Sequence, residues 1–241
     1  MIWEIVAVTL PGFAIGAAFM ALANRRVAPD VARARWLKLG VFGLIVHAVL
    51  AVSAAGKPWV TVLVALLLLA GARELWRAWQ RIPALRPPLV WPVFMLVAML
   101  ALAASWLLPS TTFAFLFLVT AACDGFSQVV GQWVGRRKLA RNISPGKTIE
   151  GLAGGLFAAF VVALLVRHLL DGATAWGAAM LAVVAGLAGL VGDLAASWVK
   201  RRAGIKDYSA ALPGQGGFLD RFDSLLGALA IVGTLLMFAS R

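Results

Sequence analysis

Apolar residues gather along this chain in long unbroken runs, not in the alternation of half-buried strands or the narrow stripe of a soluble helix. Eight runs stand out, near residues 2–23, 38–55, 58–73, 88–108, 112–134, 151–170, 174–199 and 219–239. A helix of about 20 apolar residues crosses the hydrocarbon core of a bilayer. Inside that core every backbone N–H and C=O needs a partner within its own segment, which a helix supplies. The pattern therefore predicts an all-α, polytopic helical membrane protein with about eight transmembrane helices.

The polar intervals between the runs are unequal. Arg25, Arg26, Arg33, Arg35 and Lys38 follow the first run, and Arg73, Arg77, Arg81 and Arg86 follow the third. Arg136, Arg137, Lys138, Arg141 and Lys147 follow the fifth, and Lys200, Arg201, Arg202, Lys206 and Arg221 follow the seventh. The remaining connections hold only Lys57 and Arg167, and Arg241 ends the chain. Lysine and arginine favour the cytoplasmic side, so this alternation places the rich loops there and both termini outside. The first run has neither a basic leading region nor an obvious small-residue cleavage site, so Met1–Ala23 reads as a retained span.

Composition agrees with that picture: 62% of residues are hydrophobic, 13% are charged and the mean hydropathy is +0.92. The net charge of +12 is accounted for by loop topology, so no nucleic-acid partner is expected. Cys123 is the single cysteine, which excludes an internal disulfide or a cysteine metal cluster and leaves a packing role. His47 and His168 are far apart and read as packed or interfacial side chains.

Residues 1–110 read as a scaffold of spans and short turns, and residues 111–241 carry the candidate chemistry within the same integral membrane unit. Glu74, in "GARELWRAW", reads as a cytoplasmic helix-end residue near Arg77. Trp36, Trp59, Trp76, Trp91 and Trp133 lie near predicted span ends, where an amphipathic indole suits the interface. The small-residue stretches "GGLFAAF" and "GLAGLVG" let helices pack closely, and such faces also permit a homodimer.

From Asp124 onward, acids appear inside or at the edges of spans, where an unpaired charge is expensive. Asp193 lies about two turns before the end of the seventh run. Asp220 and Asp223 open the eighth and, three residues apart, share a helix face. One helix hairpin then brings Asp193 to that pair. Three hard oxygen ligands so placed call for a divalent cation, and magnesium suits them better than zinc.

The loop between them, "KRRAGIKDYSAALPGQGG", adds Lys200, Arg201, Arg202 and Lys206, so an anionic substrate is expected. Gly214, Gly216 and Gly217 precede a helix start, where free N–H groups and the dipole favour phosphate. A second basic stretch, "GRRKLARNISPGKTIEG", places Lys147 and Thr148 in a turn after Pro145. Lysines and arginines alone fit an ordinary cytoplasmic loop; aspartates at membrane depth do not, and the cluster reads as a phosphate-handling metal site.

The same residues resemble a known family. Ser197, Val199, Lys200, Arg201, Lys206, Asp207, Ser209, Leu212, Pro213, Gly216, Gly217, Phe218, Asp220, Arg221, Phe222 and Asp223 follow the signature of phosphatidate cytidylyltransferases, or CDP-diacylglycerol synthases. "ISPGKTIEG" and "GDL" at Gly192–Leu194 resemble two further stretches, and the matches cover roughly the C-terminal half. The resemblance implies a polytopic enzyme that joins CTP to phosphatidate, giving CDP-diacylglycerol and pyrophosphate in phospholipid biosynthesis. It implies magnesium and, with it, a second, monovalent cation such as potassium. Asp193, Asp220 and Asp223 correspond to the metal-associated carboxylates, and Lys206 and Asp207 join them as catalytic candidates. Ser144, Lys147, Thr148, Glu150, Ser197, Lys200, Arg201, Gln215, Gly216, Gly217, Arg221 and Asp124 are the substrate and phosphate candidates. The expected place is a bacterial inner membrane, with the active site in a polar cavity facing the cytoplasm.

Three positions depart from the family pattern: Ile149 stands for an aromatic, Gln215 for a histidine and Ala196 for a glutamate. Glutamine hydrogen-bonds but does not titrate, so no proton-carrying duty falls to position 215. The attacking phosphate monoester is largely ionised near neutral pH, with a second pKa of about 6, so the implied reaction needs no general base. The departures keep other readings open: the same chemistry on an ether-lipid or polyisoprenoid phosphate, or an inactive paralogue that binds lipid or CTP. An ion transporter is a further alternative, in which the intramembrane acids carry protons or ions without nucleotide.

Overall fold

The structure, a computed structural model, describes residues 2–25, 27–82 and 88–239, and for residues 2–6 and 8 the backbone alone. Met1, Arg26, Arg86 and Arg241, counted above, lie outside the described residues. The chain is a polytopic helical membrane protein. Its helices are α1 (Ile2–Asn24), α2 (Pro29–Ala55), α3 (Lys57–Arg81), α4 (Val90–Leu107) and α5 (Ser110–Val134). There follow α6 (Ile149–Leu165), α7 (Ala175–Arg202) and α8 (Phe218–Ala228), the last continued by a π-turn at Leu229–Gly233 into α9 (Thr234–Ala239).

Among the described residues, six helices are long and apolar enough to span a membrane: α2, α3, α4, α5, α7 and the continuous Phe218–Ala239 segment. Thr9–Asn24 and α6 are shorter apolar helices. Prolines at the first turns of α2 and α3 start those helices where the missing N–H costs nothing. The run expected at 151–170 stops early, at Leu165, and Arg167–Leu169 closes as a single tight 3-10 turn.

Helix α5 is the central post. Every residue from Thr112 to Thr120 is buried, as expected of a helix apolar all round and surrounded by others. Thr120 returns its hydroxyl to Leu116 O at 2.8 Å, so that buried polar group is satisfied within the helix. The outer faces are greasy instead: Leu44 is 72% exposed, Leu69 68% and Phe157 69%, the surface that a lipid environment covers.

Two helix pairs are drawn in by glycine. A Cβ at Gly154 would press on Val130 Cγ2 at 2.6 Å, so α6 lies against α5 as the small-residue stretch implies. At Gly192 a Cβ would run into the carbonyl of Asp223, and at Gly227 it would meet Gly192 Cα at 3.0 Å. Helices α7 and α8 therefore cross backbone to backbone beside the acids they carry.

The stretch after α5 is not the plain loop expected from its charge. It forms a small antiparallel hairpin, β1 (Lys138–Ala140) with β2 (Ser144–Thr148), pairing Lys138 with Thr148 and Ala140 with Ser144. The hairpin, the loop between α7 and α8, and the ends of α3 and α2 all meet at one end of the bundle: Arg201 Nε donates to Ile143 O at 3.0 Å, and Gln215 Nε2 to Lys38 O at 2.7 Å.

Candidate functional site

Charged side chains converge where α5, α7, α8 and the hairpin approach each other. Lys147, at the end of β2, forms an ion pair with Asp193 of α7. Ser197, one turn along, donates to the other oxygen of Asp193 at 3.2 Å. Within electrostatic reach of Asp223 lie Asp193, Lys200, Asp124 and Arg221. Arg221 approaches Asp124 at 3.8 Å and rests its guanidinium 5.2 Å from the centre of the Phe42 ring. Asp124, Asp193 and Asp223 thus form one cluster of interacting charges with Lys147 and Arg221. Burial opposes the ammonium of Lys147, but the carboxylates of Asp193 and Asp124 outweigh it and hold its pKa above the usual lysine value.

Asp223 is the unusual member. Its Oδ1 accepts from Ser224 N at 2.7 Å, whereas Oδ2 is buried with no partner. A buried carboxylate oxygen without a donor is costly and is tolerated where something else is meant to meet it.

Asp220 does not join this group, although spacing put it on the same face as Asp223. Lys200 Nζ donates to its Oδ1 at 2.7 Å, while Tyr208 N and Gly217 N donate to Oδ2 at 2.7 and 2.8 Å. The carboxylate has turned back over the first turn of its own helix, closing half of a capping box, and is fully engaged. Among the described residues no three His, Cys, Asp or Glu side chains stand together as a metal-holding set. The expected ligand trio of Asp193, Asp220 and Asp223 is therefore not assembled as one set.

The start of α8 differs from expectation in a second way. Glu74 of α3 is buried and reaches its carboxylate to the helix end, where Phe218 N donates to Oε1 at 3.1 Å and Leu219 N to Oε2 at 2.8 Å. Ser209 Oγ adds a 2.6 Å hydrogen bond to Oε1. The N–H groups expected to greet a phosphate are thus taken by Asp220 and Glu74. Gly217 serves this contact, since a Cβ there would overlap the Glu74 carboxylate, and Gly216 supplies a φ of +85° for the turn before it. Glu74 is not a simple helix-end residue, and no local pattern reveals this, because its partners lie 135 to 145 residues away.

The other candidates divide. Thr148 caps α6, accepting from Gly151 N at 3.1 Å, and Glu150 binds the backbone N–H groups of Arg136 and Arg137 at 3.0 and 3.1 Å, so both hold the hairpin to α6. Ser144 sits in the strand pairing, and Arg201 ties the loop to the hairpin. Lys206 and Asp207 are exposed at the rim. Gln215, 8% exposed, donates to Lys38 O and accepts from Arg221 Nη1 at 3.1 Å, filling its position with an amide bridge. Tyr208 is buried against Ala196 O, to which its hydroxyl donates at 2.9 Å, and burial pushes its phenol pKa up.

The sequence profile described as "Cytidylyltransferase family" matches residues 95–239, which include the hairpin, Asp124, Asp193 and the α8 acids. A protein named phosphatidate cytidylyltransferase from Brucella abortus is 43% identical over 122 residues, covering 51% of this chain and 45% of its own. Proteins of the same name from Staphylococcus saprophyticus and Staphylococcus aureus are 39% identical over 124 and 122 residues, 48% and 47% of their lengths. The chain thus matches about half the length of these curated relatives. No solved structure matches it. The profile match covers more than half of the residues and contains the whole acidic cluster, and on that ground the chain belongs to the cytidylyltransferase family.

Proposed function

We propose that this protein is a membrane-embedded nucleotidyltransferase that joins CTP and phosphatidate to give CDP-diacylglycerol and pyrophosphate. The single observation that carries the reading is the clustering of Asp124, Asp193 and Asp223 with Lys147 and Arg221 as interacting charges, inside the segment matched by the family. The names of the relatives supply the substrates, and the excess of basic residues around the same end supports a cytoplasmic face.

The reaction brings two anions together. A phosphate oxygen of the lipid attacks the α-phosphorus of CTP, the bond to the β-phosphate oxygen breaks, and pyrophosphate leaves with its charge. Cations that position and neutralise these groups do most of what such a transfer needs. Arg221 and Lys147 are placed to do so, Lys147 by exchanging Asp193 for a phosphate oxygen. Because the lipid phosphate is already ionised, the neutral amide of Gln215 is no obstacle.

The donor set fits a divalent cation in part. Asp193 and Asp223 offer hard carboxylate oxygens, and the unpartnered Oδ2 of Asp223 is the observation that favours a guest. Magnesium held there would neutralise phosphate charge; Asp220 would support the site from behind through Lys200.

The test is direct. Purified full-length protein, magnesium, α-labelled CTP and phosphatidate in mixed micelles should yield a labelled CMP-lipid and one pyrophosphate per lipid. If neither phosphatidate nor an ether-lipid or polyisoprenoid phosphate is converted, the enzyme reading fails.

A further inference from the structure

Between α1, α2 and α5 lies a cavity of about 260 Å³. Its walls are mostly apolar, including Phe13, Phe42, Leu118 and Ala122. On one rim Phe19 of α1 and Trp133 of α5 meet edge-on, with ring centres 4.9 Å apart. One end is polar and cationic: Arg35, Lys38 and Arg221 line it together with Asp124 and Gln215. Arg221 and Asp124 belong to the charged cluster as well, so the cavity borders the proposed reaction centre.

Helix α1 walls this space with Phe13, Phe19 and Met20 but leaves a gap between them. Gly12 and Gly16 both line it, four residues apart on one helix face, and a Cβ at either position meets no atom within 4 Å. Elsewhere in this bundle, glycines such as Gly154, Gly192 and Gly227 are pressed by neighbours. Here the missing side chains leave room instead of allowing contact. At the other end the ammonium of Lys38 makes no hydrogen bond or ion pair among the described residues, and the charges acting on it are Arg221 and Lys206, both positive, and the acid Asp207. An apolar slot ending in three cations, of which Arg221 pairs with Asp124 and Arg35 with Asn24, suits part of an anionic lipid: one acyl chain in the slot, phosphate at the mouth.

We propose that this cavity is the acyl-chain slot of the lipid substrate, with Gly12 and Gly16 setting its depth and Lys38 and Arg35 receiving the phosphate. It deepens the function proposed above and rests on that reading for its substrate. Both glycines and both cations lie outside the residues that the family profile matches, so the N-terminal helices supply these four residues while α5 and α8 supply the facing wall.

A diazirine placed at the chain end of a phosphatidate tests occupancy without turnover. In phosphatidylcholine nanodiscs, irradiation of the full-length protein should label α1 and α5 peptides that line the cavity. A phosphatidylcholine probe with the same chain should label them several-fold less. Labels confined to the outer faces of α3 and α4, or equal labelling by both probes, overturn the slot. In parallel, a graded series at position 16, Gly16→Ala and Gly16→Leu, fills the space while favouring the helix. The leucine should raise KM for dioleoyl phosphatidate relative to dihexanoyl phosphatidate about tenfold, the scale of a few methylenes in an apolar pocket. An unchanged chain-length preference, or an equal rise in the KM for CTP, counts against the proposal. Labelling of α1 and α5 without formation of any CMP-lipid would keep the slot and remove the enzyme; turnover with neither labelling nor altered preference would do the reverse.

Discussion

The two aspartates at the start of α8, three residues apart, differ in how they are bonded, and substitution separates them. Asp223 keeps a buried oxygen unsatisfied, so Asp223→Asn should leave the protein at least as stable in a detergent melt, while turnover falls by about a hundredfold or more if the acid helps to hold a metal. Asp220 is fully bonded, so Asp220→Asn should lower the melting temperature, by the equivalent of about 1–3 kcal/mol from one weakened charge-assisted pair. Equal melting temperatures for the two variants would contradict this division. Lys147 gives a pH prediction. Its pKa in the fold lies above the ordinary 10.5, so whatever the pair with Asp193 contributes is fully present below that pH and lost only as the pH rises through the higher folded value. Any activity change between pH 6 and 9 should therefore be the same in the parent and in Lys147→Arg.

At the scale of elements, geometry is set by how closely two helices approach. The crossing of α7 and α8 at Gly192 and Gly227 places Asp193 beside Asp223, and no side chain fits between the backbones. Gly192→Ala should cost about 1–3 kcal/mol of stability as the helices separate. It should reduce turnover more than it reduces expression, which a rate per folded molecule would show. The apolar runs made the helices legible because hydrocarbon-crossing length is a one-dimensional property. The hairpin was not legible: "RKLARNISPGK" has neither apolar alternation nor a two-residue glycine turn, and what fixes it is Glu150 gathering two backbone N–H groups from Arg136 and Arg137. Lys147 was found for its charge, and its partner could not be, because the hairpin's register decides which side chain faces α7.

For the whole molecule, the acids at membrane depth announced a site, and the C-terminal motifs announced its family, since both are written within short stretches. What they concealed was the dependence of that site on the first half. Glu74 closes the start of α8, Lys38 lends its carbonyl to Gln215, and α1 and α2 wall the apolar cavity. The hydrogen bonds of Glu74 and of Lys38 span 135 residues or more, beyond the reach of any periodicity. Glu74→Ala strands the N–H groups of Phe218 and Leu219 in a buried place and should cost about 2–4 kcal/mol, with Glu74→Gln recovering part of it. A thermal shift of the detergent-solubilised variants measures both.

The reach of Glu74 across the bundle limits how this architecture can be cut and rejoined. A graft that fuses residues 95–239 to the front half of a relative inherits a helix start whose amides expect an acid from the donor's third helix. Chimeras should mature only when the incoming partner presents a carboxylate at the equivalent depth, and restoring that one acid should rescue those that do not.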